Sequence, residues 1–308
     1  MPALPVASLA VSAGLGAALS LGVADFAAQR LTVRYGWVRA LLVAQLSSLP
    51  LIAGSAMMLE PLPSWTTASV GGLLATGLLY AVGIGALYGA LARGPLTIVS
   101  PIASSFAAVT VALSLCVGQS LPQPRILGGL ALILIGVVLA ARGDRSAPAH
   151  SAPAGASQGG SSGALWAVVS SVTMGAAFLG IELTSHHAGR DTASLWPLVA
   201  MRAITSALLL VLWFARRGRD TRSLSRPRTS RLLWLGGFTV GALDSLGMVL
   251  YTLGLAVDHV AVVVVLTSLF SVVTVALARI WLREQLTTTQ WVAVALIVCG
   301  IAWTSLSR

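Results

Sequence analysis

The chain contains a copy of part of itself. Residues 72–113 align without a gap onto residues 236–277, and 14 of those 42 positions are identical. Gly72, Gly77 and Gly83 return as Gly236, Gly241 and Gly247. The run Phe106-x-x-Val109-Thr110-Val111-Ala112-Leu113 returns as Phe270 followed by Val273 to Leu277. At the same offset, Ala131-Leu132-Ile133-x-x-Gly136 matches Ala295-Leu296-Ile297-x-x-Gly300. One unit is therefore built twice, and the fold has to pack it against itself.

The unit is made of membrane-spanning helices. The chain is 56% hydrophobic and 9% charged, with a mean hydropathy of +0.90, which excludes an ordinary soluble domain. Its apolar stretches have the length of about 18–24 residues that an α-helix needs to cross the hydrocarbon of a bilayer. They are continuously apolar and do not alternate, which selects helices over a barrel. Ten spans are expected, at 6–28, 37–59, 68–91, 96–118, 124–141, 164–185, 194–214, 231–254, 260–281 and 287–306. Met1 to Leu9 carries no basic residue, so the first of these reads as a retained span and not a signal sequence.

Residues 142–163, rich in Ser, Ala, Pro and Gly, read as a flexible linker. They separate a first five-helix repeat, 1–141, from a second, 164–308. Shorter matches extend the duplication: Arg39-Ala40 with Arg202-Ala203, and Gly16-Ala17-Ala18 with Gly175-Ala176-Ala177. An odd number of spans per copy makes the two copies enter the membrane in opposite senses. The expected fold is an all-α polytopic membrane protein of ten transmembrane helices, arranged as two inverted five-helix repeats.

All 19 basic residues are Arg. The net charge of +10 does not point to nucleic acid, because these residues lie between spans, where they set orientation. One side collects 14 of them, seven in 216–231, and the other three, with Arg39 and Arg202 set aside as lying within spans. The bias predicts both termini outside and the 216–231 loop in the cytoplasm. The Arg-rich, Lys-free composition suggests a bacterial plasma membrane. Cys116 and Cys299 fall inside apolar spans with no ligand-like spacing, so neither disulfide nor metal is implied.

These features resemble the drug/metabolite transporter superfamily, in its EamA-like ten-helix form. The resemblance is carried by the two repeats, by Arg39 and Arg202 near the starts of equivalent helices, and by the Phe106–Leu113 and Phe270–Leu277 runs with the glycines after them. The loop after the fourth helix of each unit usually carries Gly-Glu in that family; here Glu284 keeps the acid and Gln119 stands in the first copy. The resemblance implies a secondary transporter exporting small metabolites through a central cavity between the repeats. The partners expected are a small-molecule substrate, the bilayer and a coupling proton. A homodimer is allowed but not required, and no cofactor is expected.

Candidate site residues are ranked by depth, since a charge at the bilayer centre costs about 2.5–3.5 kcal/mol on insertion scales. Asp244 is the deepest acid, and its repeat partner is Tyr80. Asp244 is expected to bind a substrate amine or carry the coupling proton; the competing reading is a hydrogen bond that fixes helix packing. Glu182 and Asp25 lie near the ends of equivalent spans, where they either line a cavity mouth or sit in headgroups. Arg202 has a possible partner in Glu182, as a gate or as a structural bridge. Pro101 removes a backbone hydrogen bond, which either unwinds a turn and exposes carbonyls near Ser100 and Ser104 or leaves a tolerated kink. Thr267, Ser268 and Tyr251 line the cavity by symmetry or simply pack. His186, His187 and His259 have no metal-like set around them.

No catalytic constellation and no phosphate-binding glycine loop is legible, so an enzyme is not expected. The alternative to a transporter is a non-transporting membrane helper or scaffold.

Overall fold

A computed structural model describes residues 3–63, 66–117, 128–129, 131–136, 139, 160–187, 194–217, 231–255, 263, 266–267, 269–282 and 287–306. The regular elements are α1 (Ala3–Tyr35), α2 (Trp37–Leu59), α3 (Thr67–Leu91), α4 (Leu96–Ser104) and α5 (Phe106–Cys116). The second half contributes α6 (Gly160–His187), α7 (Trp196–Arg217), α8 (Arg231–Leu255), α9 (Phe270–Leu277) and α10 (Thr288–Leu306). A π-helical turn, Ala278–Leu282, continues α9. Among the described residues, seven helices are long and apolar enough to cross a membrane. The expected fifth span, 124–141, falls largely outside the described residues, as does much of 260–269.

Local chemistry sets the boundaries. Gly36, at φ 85°, turns the chain between α1 and α2 in a conformation that only glycine adopts cheaply. Thr66 and Ser69 cap α3 reciprocally, each side chain accepting the other's backbone N–H. The large apolar residues left exposed on the surface, such as Leu74, Leu78 and Val82 at helical spacing on α3, belong against lipid.

The main pairings between the two halves are preserved when each half is swapped for the other. α3 packs on α6 and α1 on α8; α3 packs on α7 and α2 on α8; α5 packs on α6 and α1 on α9. The α2–α7 contact maps onto itself. Small residues make the closest approaches. A Cβ on Gly175 would stand 2.8 Å from the Phe106 carbonyl, and one on Gly22 would stand 2.8 Å from the Phe270 carbonyl. Thr110 Oγ1 donates to the carbonyls of Phe106 and Gly175, and Thr274 Oγ1 to those of Phe270 and Gly22.

This geometry corrects the short matches outside the ungapped block. Gly175 occupies the place of Gly22, not of Gly16. Gly77 meets Ile204, while its copy Gly241 meets Ala44, Ser47 and Ser48. Ile204 thus corresponds to the 44–48 stretch, and Arg202 lies well past the level of Arg39. Two-residue matches between apolar helices carry too little information to fix a register.

The fourth span is interrupted at Ser105 (φ −70°, ψ 0°), between α4 and α5. Pro101 itself stays inside helical α4. The same interruption recurs at the equivalent Leu269 (φ −66°, ψ −6°), with no proline before it at the equivalent Val265. Unwinding at Pro101 is therefore replaced by a break one turn later that both copies share.

Candidate functional site

Arg202 stands two turns into α7 and is buried. An unpaired guanidinium at that depth is costly, and the neighbouring helices supply its partners. Its Nη2 donates to Asp244 Oδ2 on α8. Its Nη1 donates to Gln45 Oε1 on α2 at 3.1 Å. The Tyr80 ring of α3 lies 5.8 Å from the guanidinium carbon, within cation–π range. Gln45 also hydrogen-bonds the Tyr80 side chain. Four helices, two from each half, meet at this one cation.

Two further groups complete the cluster. Asp25 of α1 lies close enough to Asp244 for the two carboxylates to repel each other. Tyr88 of α3 is buried and interacts electrostatically with Asp25, Asp244, Arg202 and Tyr80. Asp244 shares its charge with Arg202, whereas Asp25 has no hydrogen bond or ion pair among the described residues. The cluster thus holds one neutralised pair and one uncompensated carboxylate.

The structure brings Asp244, Tyr80, Arg202 and Asp25 together. Arg202 pairs with Asp244; Glu182, its other expected partner, belongs to α6, and its side chain lies outside the described residues. Ser104 is buried, but its hydroxyl donates to the Pro101 carbonyl at 2.9 Å, so it satisfies its own helix. Thr267 is buried with its hydroxyl unpartnered among the described residues. Ser268 lies outside the described residues. Tyr251 is half-buried on α8, two turns beyond Asp244. Arg39 is half-buried near the start of α2 and is not part of the cluster.

Sequence reasoning missed Gln45 and Tyr88. Gln45 is 2% exposed. An amide inside an apolar span is the signal that finds it. Glu60, just past the end of α2, was also missed. Its carboxylate accepts from Ser194 Oγ and from the Leu195 backbone N–H, both at 2.7 Å.

The fold and this cluster define a polytopic helical membrane protein with a charged, hydrogen-bonded centre shared by its two halves. The EamA-like transporter family model matches residues 161–306, the second half of the chain, which is consistent with the drug/metabolite transporter superfamily. No curated protein matches the chain. Among solved structures, a crystal structure of a protein at 18% identity covers 97% of each chain with a TM-score of 0.61, which is a likeness of fold alone.

Proposed function

We propose that the protein is a secondary transporter of the bacterial plasma membrane that exports small metabolites, such as amino-acid-like, nucleoside or drug-like compounds, by proton coupling or exchange. Its ten helices form two inverted repeats with the site between them. Both termini are outside, and the 216–231 loop is cytoplasmic. Support for the repeats comes from the pairings that survive exchange of the halves and from the matching Thr110–Gly175 and Thr274–Gly22 contacts.

The observation that carries the reading is the Arg202–Asp244 pair with Asp25 unpaired beside it. An ionisable cluster within apolar spans is costly unless it is used. In this reading the free carboxylate, Asp25, takes the coupling proton or a substrate cation. Asp244 holds Arg202 in place and receives the charge when the cycle turns. Gln45, Tyr80 and Tyr88 line the same space, and Thr267 offers an unused hydroxyl from the ninth span.

The test compares metabolites inside and outside cells expressing the wild type, Asp25→Asn or Asp244→Asn at equal membrane levels. Compounds exported by the wild type and retained by Asp25→Asn support transport and this division of roles. Identical profiles for the wild type and empty cells overturn transport in favour of a helper role. Full export by Asp25→Asn removes Asp25 from the mechanism.

A further inference from the structure

We infer that Glu60 is the strap of a gate closing one end of the Arg202–Asp244 site. This rests on the transport reading and assigns one moving part of it.

The inference comes from a column of contacts along one face of α2. Gln45, Ser48, Ile52, Ala56 and Glu60 recur at helical spacing and so share a face. Each faces α7 or α8 at its own level. At the inner level Gln45 accepts from Arg202. Next, Ser48 and Ser245 join their hydroxyls at 2.9 Å. Beyond them Ile52, Ala56 and Leu195, at most 1% exposed, form a small apolar plug packed against Leu198, Val199, Met248 and Val249. At the outer end stands Glu60.

Glu60 closes the column by joining the halves. Ser194 and Leu195 belong to the start of α7, where free backbone N–H groups and the helix dipole favour an anion. Trp196 Nε1 donates to the Pro61 carbonyl at 3.0 Å, tying the same two chain segments a second time. The strap lies past Leu59, the last residue of α2, where water can replace its hydrogen bonds. Opening there is therefore far cheaper than opening a core contact. Pro50 lies inside α2, between Gln45 and the plug. It has no N–H to give the Leu46 carbonyl, which weakens the helix where the outer segment must swing. Separating the outer ends of α2 and α7 breaks the strap first, then the plug, and then exposes Arg202 about 10 Å further along α7.

The test places a single reporter, Met248→Cys, in a Cys116→Ser/Cys299→Ser background. It follows labelling by a membrane-impermeant maleimide in sealed right-side-out and inside-out vesicles. Replacing Glu60 with Ala is expected to raise labelling from the Glu60 side about tenfold, the change that ~1.4 kcal/mol of lost closed-state stability gives. Ser194→Ala, which leaves the Leu195 N–H in place, is expected to give a smaller rise. A second reporter, Val99→Cys, sits fully buried in the core and is expected to stay unlabelled throughout. Equal labelling of Met248→Cys with and without Glu60 overturns the gate, as does a parallel rise at Val99→Cys, which signals general loosening. An unresponsive reporter in a chain that still exports metabolites defeats the gate alone. A responsive reporter with no exported compound defeats the transport reading instead.

Discussion

Arg202 of α7 is bonded to Asp244 of α8 through one nitrogen and to Gln45 of α2 through another, so a single guanidinium ties the first half of the chain to the second. The bond fixes two helices to each other, because Asp244 is committed to an arginine on the neighbouring helix. The pair has little independent value for stability. Its desolvation cost is large, and what makes it necessary is that each partner is already there.

Removing one member of the pair is therefore worse than removing both. Asp244→Leu leaves a buried guanidinium and is expected to cost about 3–5 kcal/mol. The double variant Arg202→Leu/Asp244→Leu is expected to melt above either single variant in detergent. Thermal unfolding followed by size exclusion measures this, and additive losses would mean that the two charges do not interact.

Asp25→Asn is expected to raise the melting temperature. The substitution removes a carboxylate that has no partner among the described residues and that repels Asp244. If the variant melts below the wild type, Asp25 is serving the fold through a bond of its own.

The glycines divide into two kinds. A Cβ on Gly22 meets Val273 side-chain atoms at 2.7 Å and the Phe270 carbonyl at 2.8 Å, so Gly22→Ala is expected to destabilise by about 1–3 kcal/mol. Gly85 has open space where a Cβ would go, so Gly85→Ala is expected to be neutral or to stabilise by up to about 1 kcal/mol. The ranking of the two melting temperatures decides the point.

Thr110→Val and Thr274→Val are expected to cost the same, about 0.6 kcal/mol each, the average for such a bond between membrane helices. Each hydroxyl makes equivalent contacts, one to a carbonyl of its own helix and one to a carbonyl of the other half. Clearly unequal losses in unfolding measurements would show that the two halves are held together differently.

Much of this was legible in the sequence because the membrane leaves few options. Apolar runs of spanning length dictate helices, since no water is available to satisfy a bare backbone. An ungapped copy dictates equivalent contacts, and the helices that hold Gly72, Gly77 and Gly83 pair as their copies do. Depth singled out Asp244 and its repeat partner Tyr80, and both lie at the centre.

Other features depended on how the helices cross. Periodicity says which residues share a face and nothing about the axial level at which two helices meet. The pairing of Arg202 with Asp244, 42 residues further on, is therefore not legible in the sequence. The register of the first and second helices against their copies rested on two or three small residues, which recur by chance in any apolar helix. Proline is the visible breaker in the sequence, yet Pro101 stays inside helical α4, and the interruption falls at Ser105 and, with no proline before it, at Leu269.

The sequence by itself determined the helices, their duplication and the rank of the buried charges, because each follows from the cost of placing a polar group in hydrocarbon. Only the tertiary structure decided which charge is paired and which has no partner among the described residues. Those depend on distances of a few ångströms between segments far apart in the chain, and no one-dimensional pattern encodes them.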